Sequence, residues 1–124
     1  MDLEKIVERF ALLASLSKEE SEAFTYICND AQNELISKLL PNTDTTMHSE
    51  RLIAAAAALS LYRYMQVKAL SQTTESFSAG DITVKENMNR AVDVAYEIWQ
   101  SEKAKIADIL KDDAFAFWRV KCNV

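Results

Sequence analysis

One glycine and one proline in 124 residues leave this backbone few places to reverse sharply. A sheet needs frequent turns, and turns draw on both residue types, so the chain is restricted to long helices joined by few connectors. Pro41 marks one stop. The glycine, Gly80, marks the other. It lies in Glu75-Ser-Phe-Ser-Ala-Gly-Asp-Ile-Thr-Val-Lys-Glu-Asn87, between two stretches of helical periodicity and beside the one clear alternating segment, Ile82-Thr83-Val84. These features predict an all-α fold: a small bundle of about four helices, with one short β-hairpin-like loop between the last two long helices.

Bulk composition narrows the class. The length suits one domain spanning 1–124, with a modest core. A hydrophobic fraction of 49% beside 27% charged residues argues against disorder. The net charge of −5 and a pI near 4.9 disfavour a protein that binds nucleic acid by neutralising phosphates. They are compatible with one that stands close to DNA without holding it. The longest apolar run, Leu52 to Leu61, is well short of the roughly 20 residues a membrane span needs. The charged start, Met1-Asp-Leu-Glu-Lys, shows no signal-peptide pattern. Cys28 and Cys122 do not suggest a disulfide framework, and Cys122 stands third from the end, outside a prenylation box. The expectation is a soluble, intracellular protein with no membrane partner.

Two N-terminal helices are expected over 1–40. Asp2 caps the first, whose apolar positions Leu3, Ile6, Val7, Phe10, Leu13 and Ala14 follow helical spacing. Ser17 and Glu20 form a capping box for the second, which should run toward Leu40 with Phe24, Ile27, Cys28, Ala31, Leu35 and Leu39 on its buried face. A central helix over 47–72 follows the connector after Pro41. From Leu52 to Leu61 it is apolar nearly all round, with alanine at 54 to 58, which predicts burial on several sides. The bundle's own helices can supply that cover, another subunit can cover part of it, and the two readings are compatible. The last long helix, 87–112, should bury Met88, Ala91, Val92, Ala95, Ile98, Trp99, Ile106 and Ile109. Glu102 with Lys105 and Asp108 with Lys111 are spaced as i, i+3 pairs on it. An aromatic tail, 113–124, carries Phe115, Phe117 and Trp118 and either caps the bundle or docks on a partner.

The loop over 75–86 is the main candidate for a functional element. Gly80-Asp81 suits a two-residue turn with positive φ at the glycine, which would set Ala79 opposite Ile82 and Phe77 opposite Val84. Ser78 and Thr83 would share the other face. A lone hairpin is marginal in water, so its apolar face should lie on the bundle or on a neighbouring subunit. It can equally be an ordinary connector.

Catalytic chemistry has little to build on. The sole histidine, His48, has no second histidine and no Glu-x-x-His pattern beside it, so neither a di-iron nor a zinc site is expected. Cys28 belongs to a buried stripe and reads as core. One glycine cannot make a phosphate loop. Tyr62, Arg63, Tyr64 and Lys68 resemble an aromatic-basic patch in composition, but Tyr62 and Tyr64 project about 200° apart on a helix and cannot form one stacking platform. No catalytic, cofactor-binding or metal residue is assigned, no cofactor is implied, and the chain is read as not an enzyme.

The block Arg51-Leu-Ile-Ala-Ala-Ala-Ala-Ala-Leu-Ser-Leu-Tyr-Arg-Tyr64, followed by Glu75-Ser-Phe-Ser-Ala-Gly-Asp-Ile-Thr-Val84, resembles the head–tail connector (adaptor, or head completion) proteins of long-tailed phages and prophages. In that family an alanine-rich helix with an aromatic pair leads into Ser-Phe-x-Ala-Gly-Asp-Val/Ile-Thr-Val, then a last long helix. An Asp-x-x-Phe-x-Phe ending like Asp112 to Phe117 is similar too. The resemblance covers roughly Arg51 to Val120, and the N-terminal helices match only in being short and amphipathic. It implies a structural virion component, present in the host bacterial cytoplasm during assembly. Such a protein forms a homo-oligomeric ring, dodecameric in the virion, that joins the portal to the tail or a stopper component after DNA packaging. DNA passes through it without specific binding, as an acidic wall would favour. Carried over, Phe77, Ser78, Ala79, Gly80, Asp81, Ile82, Thr83 and Val84 would make subunit or connector contacts, with Phe115, Phe117 and Trp118 in the tail as further candidates. The alternatives are a cytosolic helical protein–protein interaction module that uses the aromatic tail, and, more remotely, a helical-bundle enzyme or cofactor binder.

Overall fold

The structure, a computed structural model, describes residues 2–79 and 82–111; for 72–79 and 82–85 it describes the backbone alone. Among the described residues are five α-helices and no β-ladder: α1 (Leu3–Ala14), α2 (Lys18–Glu22), α3 (Thr25–Ser37), α4 (Ser49–Ala79) and α5 (Ile82–Lys105), with a 3-10 turn at Ala107–Ile109. The all-α expectation holds.

Local chemistry sets the ends of the N-terminal helices. Asp2 Oδ1 accepts from the Glu4 N–H at 3.0 Å to start α1. Ser15 ends it in the left-handed region, φ 58°, where glycine is the usual occupant. The Leu16 N–H returns to the Ala11 carbonyl at 2.9 Å and the Ser15 N–H to Leu12, so the last carbonyls are satisfied although serine replaces glycine. The Ser17–Glu20 capping box is present in both directions, at 3.0 and 3.1 Å. It opens a five-residue helix rather than one continuing toward Leu40. The chain breaks at Ala23–Phe24 and restarts as α3. This break corrects the single-helix expectation, and it brings the Phe24 ring edge-on to Tyr64, with centroids 4.8 Å apart.

Helix α4 is the centre of the bundle. Every residue from Leu52 to Leu61 is buried. Phe10 of α1 packs edge-on against Tyr64, α3 contributes Ile27, Cys28, Ala31 and Leu35, and α5 contributes Ala95 and Trp99. Alanine side chains are short enough to let three helices approach one axis. The alanine surface is thus covered by this chain's own helices, and a second subunit is not needed to bury it. Ser60, wholly buried, donates to the Ala56 carbonyl at 2.7 Å, so the polar atom is satisfied within the helix.

Helices α4 and α5 run antiparallel. Tyr62 meets Tyr96 with ring centroids 5.2 Å apart, while near the start of α4 Arg51 reaches the Lys105 carbonyl at the end of α5, 2.8 Å away. The chain is then tied back to α3: the Leu40 N–H donates to Ile109 O at 2.8 Å and the Lys111 N–H to Lys38 O at 3.0 Å, flanking the bridge pair Leu39–Leu110.

The hairpin is where the structure overturns the sequence reading. Phe77, Ser78 and Ala79 belong to the last turn of α4, and Ile82, Thr83 and Val84 to the first turn of α5. Neither side is a strand, and the cross-strand pairs Ala79–Ile82 and Phe77–Val84 do not exist. Gly80 and Asp81 lie outside the described residues. The physical reason is cooperativity. Three alternating residues disfavour a helix by a few tenths of a kcal/mol each, whereas extending an established helix gains a hydrogen bond per residue. The central and last helices are accordingly longer at this end than expected, reaching 79 and starting at 82 rather than 72 and 87.

Candidate interaction surfaces

The long hairpin carries the first surface. The last buried residue described on α4 is Ala69, and the first on α5 is Ala95. Helix α4 continues from Leu70 to Ala79, about 15 Å at the α-helical rise. Val67 and Leu70 stand 51% and 72% exposed on it, and Val94 of α5 is 49% exposed. By helical register, position 77 lies seven residues beyond Leu70, on the same side of α4, whereas position 84 lies eleven before the buried Ala95 on α5, about 80° round from Val94. The backbone therefore places position 77 at the end of the side of α4 that already exposes Val67 and Leu70. In the segment singled out from sequence, Phe77–Ala79 and Ile82–Val84 are helix ends rather than strands. Phe115, Phe117 and Trp118 lie outside the described residues.

Two apolar grooves carry the rest. One, of about 640 Å³, opens between α1 and α2, with Leu3, Val7, Leu12 and Leu16 in its walls together with Glu4, Glu8, Glu22 and a single lysine, Lys18. Leu12 is 81% exposed there, the most of any large apolar side chain described. A second, of about 380 Å³, lies between α4 and α5 under Leu13, with Met65, Ala91, Val94 and Ile98 among its lining. The first groove was not read from sequence. Its signal was Leu12, an apolar residue beside Leu13 and off the α1 stripe.

The polar candidates are accounted for by the fold. Arg51 Nη1 donates to Asp108 Oδ1 at 3.1 Å as well as to Lys105 O, and Nη2 lies 2.6 Å from His48 Nδ1. The hydrogen bond from Arg51 holds the Asp108 carboxyl below its ordinary range. This cluster pins the start of α4 to the end of α5, and His48 belongs to it. Lys111 Nζ donates to Ser37 O at 3.1 Å, while Glu102 and Lys105 pair at 3.0 Å. Tyr62 and Tyr64 face opposite ways, onto Tyr96 and onto Phe10 and Phe24. Arg63 pairs with Glu34 of α3, and the Lys68 ammonium lies 5.9 Å from the Tyr64 ring centroid. Cys28 is buried, and burial pushes its thiol up against the opposing effect of a hydrogen bond with Ser60. Among the described residues no group of three or more His, Cys, Asp or Glu is placed to hold a metal ion, and no helix is long and apolar enough to cross a membrane.

Compared with protein-family models, with curated proteins and with solved structures, the chain matches none.

Proposed function

We propose that this protein is a structural component of a phage or prophage virion, a ring-forming head–tail connector without enzymatic activity. The observation that carries the proposal is the division of the family-like block into two parts. Arg51 to Tyr64 forms a helix whose core is sealed within the subunit, and in the segment from Glu75 to Val84 the backbone of 75–79 ends α4 and that of 82–84 begins α5. A connector subunit needs that division: a closed core to hold its shape, and a separate element to meet a neighbour, a portal subunit or a tail component. Heterologous contacts of this kind close into rings when the rotation per subunit divides a full turn. The net charge of −5 suits a channel through which DNA slides. The exposed apolar grooves also suit a helical interaction module acting on a different protein.

Light scattering over a concentration series, with negative-stain imaging of the largest species, tests the proposal. Rings are expected at high concentration or on addition of portal protein. Leu70→Glu, at an exposed position, should change stability by no more than about 0.5 kcal/mol and yet abolish them. A strict monomer that binds neither portal nor tail components would overturn the connector reading, and a defined complex with an unrelated cytosolic protein would favour the module.

A further inference from the structure

We propose that the groove between α1 and α2 receives one amphipathic α-helix of a partner protein, apolar on its buried side and carrying lysine or arginine on its flanks. The walls of the groove are themselves helices. Backbone N–H and C=O groups along them are held in helical pairs, so an extended peptide finds no open edge to add to. Recognition has to come from side chains. Leu3, Val7 and Leu16 are half-buried, packed on the core by one side and lining the groove with the other. Leu12, in the same lining, is 81% exposed. From Leu3 to Leu12 the apolar wall runs about 14 Å, the length over which a facing helix presents anchors at i, i+3 or i+4, and i+7.

Charge sets the chemistry of the partner. Helix α1 sorts its charged residues by side: Glu4 and Glu8 line the groove, whereas Lys5 and Arg9 are exposed outside it. Glu4 and Glu8 project within about 40° of each other, between Val7 and Leu12, and Arg9 lies about 100° further round. Glu22 of α2 adds a third carboxylate, and Lys18 is the one opposing charge in the lining. Among the described residues none of the three carboxylates is in a salt bridge. An apolar helix flanked by lysine or arginine answers both features of the groove at once. An acidic helix would be repelled along the same wall. The inference rests on the groove alone and stands apart from the connector proposal.

Calorimetric titration of the full chain with synthetic peptides of about four helical turns tests the proposal. The probes are an amphipathic leucine–lysine helix, the same pattern with glutamate for lysine, and a scrambled leucine–lysine control. The amphipathic basic peptide should bind one to one, at least about tenfold tighter than the scrambled control. Leu12→Ser, at an exposed position, should weaken it by about tenfold or more through the lost apolar contact. Glu4→Lys with Glu8→Lys should weaken it by at least about fivefold and move the preference to the glutamate peptide. Asp93→Lys with Glu97→Lys, exposed on α5, makes the same change in net charge and should leave binding within about twofold at physiological ionic strength. Circular dichroism checks that each variant keeps its helical content. Equal affinity for the scrambled peptide, or equal weakening by the α5 pair, overturns the proposal, because the contact is then a general attraction of an acidic protein for cations. No binding of the basic amphipathic peptide at about 1 mM overturns it as well. So does self-association of the protein that Leu12→Ser abolishes, which would make a second copy the occupant. Rings without peptide binding, or peptide binding without rings, tell the two proposals apart.

Discussion

Residues 55 to 58 test the central structural claim, because four consecutive helical positions sample the whole circumference of α4 at about 100° intervals. All four alanines are 0% exposed. Replacing each in turn by leucine adds three carbons to a wall with no solvent behind it. Overpacking of this kind costs about 1–3 kcal/mol, while the intrinsic helix propensity of leucine is close to that of alanine and offsets almost nothing. An unfolding entropy of roughly 2.1 cal/mol/K per residue gives a chain of 124 residues about 0.26 kcal/mol/K. The expected loss is therefore about 4–12 °C in Tm for each variant. Far-UV circular dichroism melts at two protein concentrations, tenfold apart, supply the measurement. All four variants should lose stability, by the same amount at both concentrations. One position tolerating leucine within about 2 °C would reveal an open face and refute the claim that α1, α3 and α5 wall the helix on every side. A loss that depends on concentration would refute it differently, by showing a face shared with another copy.

Ser17→Ala should lower Tm by about 4 °C at neutral pH, from a cap worth about 1 kcal/mol. Hydrogen bonds from Ser17, backbone first and then side chain, depress the Glu20 carboxyl. Its contribution is complete above the ordinary 4.5 and is lost as pH falls through the lower folded value; alanine keeps the backbone N–H at position 17, so the part of the Ser17→Ala deficit that comes from the lost hydroxyl acting on Glu20 should shrink in acid. A deficit constant from neutral pH into acid would break that link. Cys28, in a Cys122→Ser background, should react with an aromatic disulfide reagent only through unfolding, at a rate that follows urea concentration. Burial raises its folded pKa, so the stability it contributes is complete below the ordinary 9.0 and drains away as pH rises through the folded value. Rapid labelling of the native protein would contradict its burial.

The legible parts of the fold were those decided within one or two helical turns. The capping box at Ser17 and Glu20 needs only a three-residue spacing, and it is present in both directions. The α3 stripe of Ile27, Cys28, Ala31 and Leu35 needs only the helical period, and all four are buried. The break at Phe24 was hidden because its cause is remote: the ring packs on Tyr64. Asp108 was misread for a related reason. Spacing paired it with Lys111, but α5 ends at Lys105, so the two do not share a helix face. Asp108 turns to Arg51, and Lys111 caps the α3 carbonyl of Ser37. Leu13 shows the limit of periodicity on α1: it sits on the expected stripe yet is exposed, because the groove under it is not filled by α4 or α5.

Exchanging a β-hairpin for the end of a helical hairpin changes what kind of contact the 77–84 segment can make. A β-ribbon exposes edge N–H and C=O groups, so it can recruit a neighbour by extending a ladder, with little demand on side chains. Helical backbone groups are already paired along α4 and α5, and recognition must then come from side chains in register. On α4 that register runs through Val67 and Leu70 toward position 77. A contact built on such a line is specific to side-chain shape and sensitive to a single charge, which is why Leu70→Glu, outside the family-like segment, is a sharper probe of assembly than any change to the turn itself.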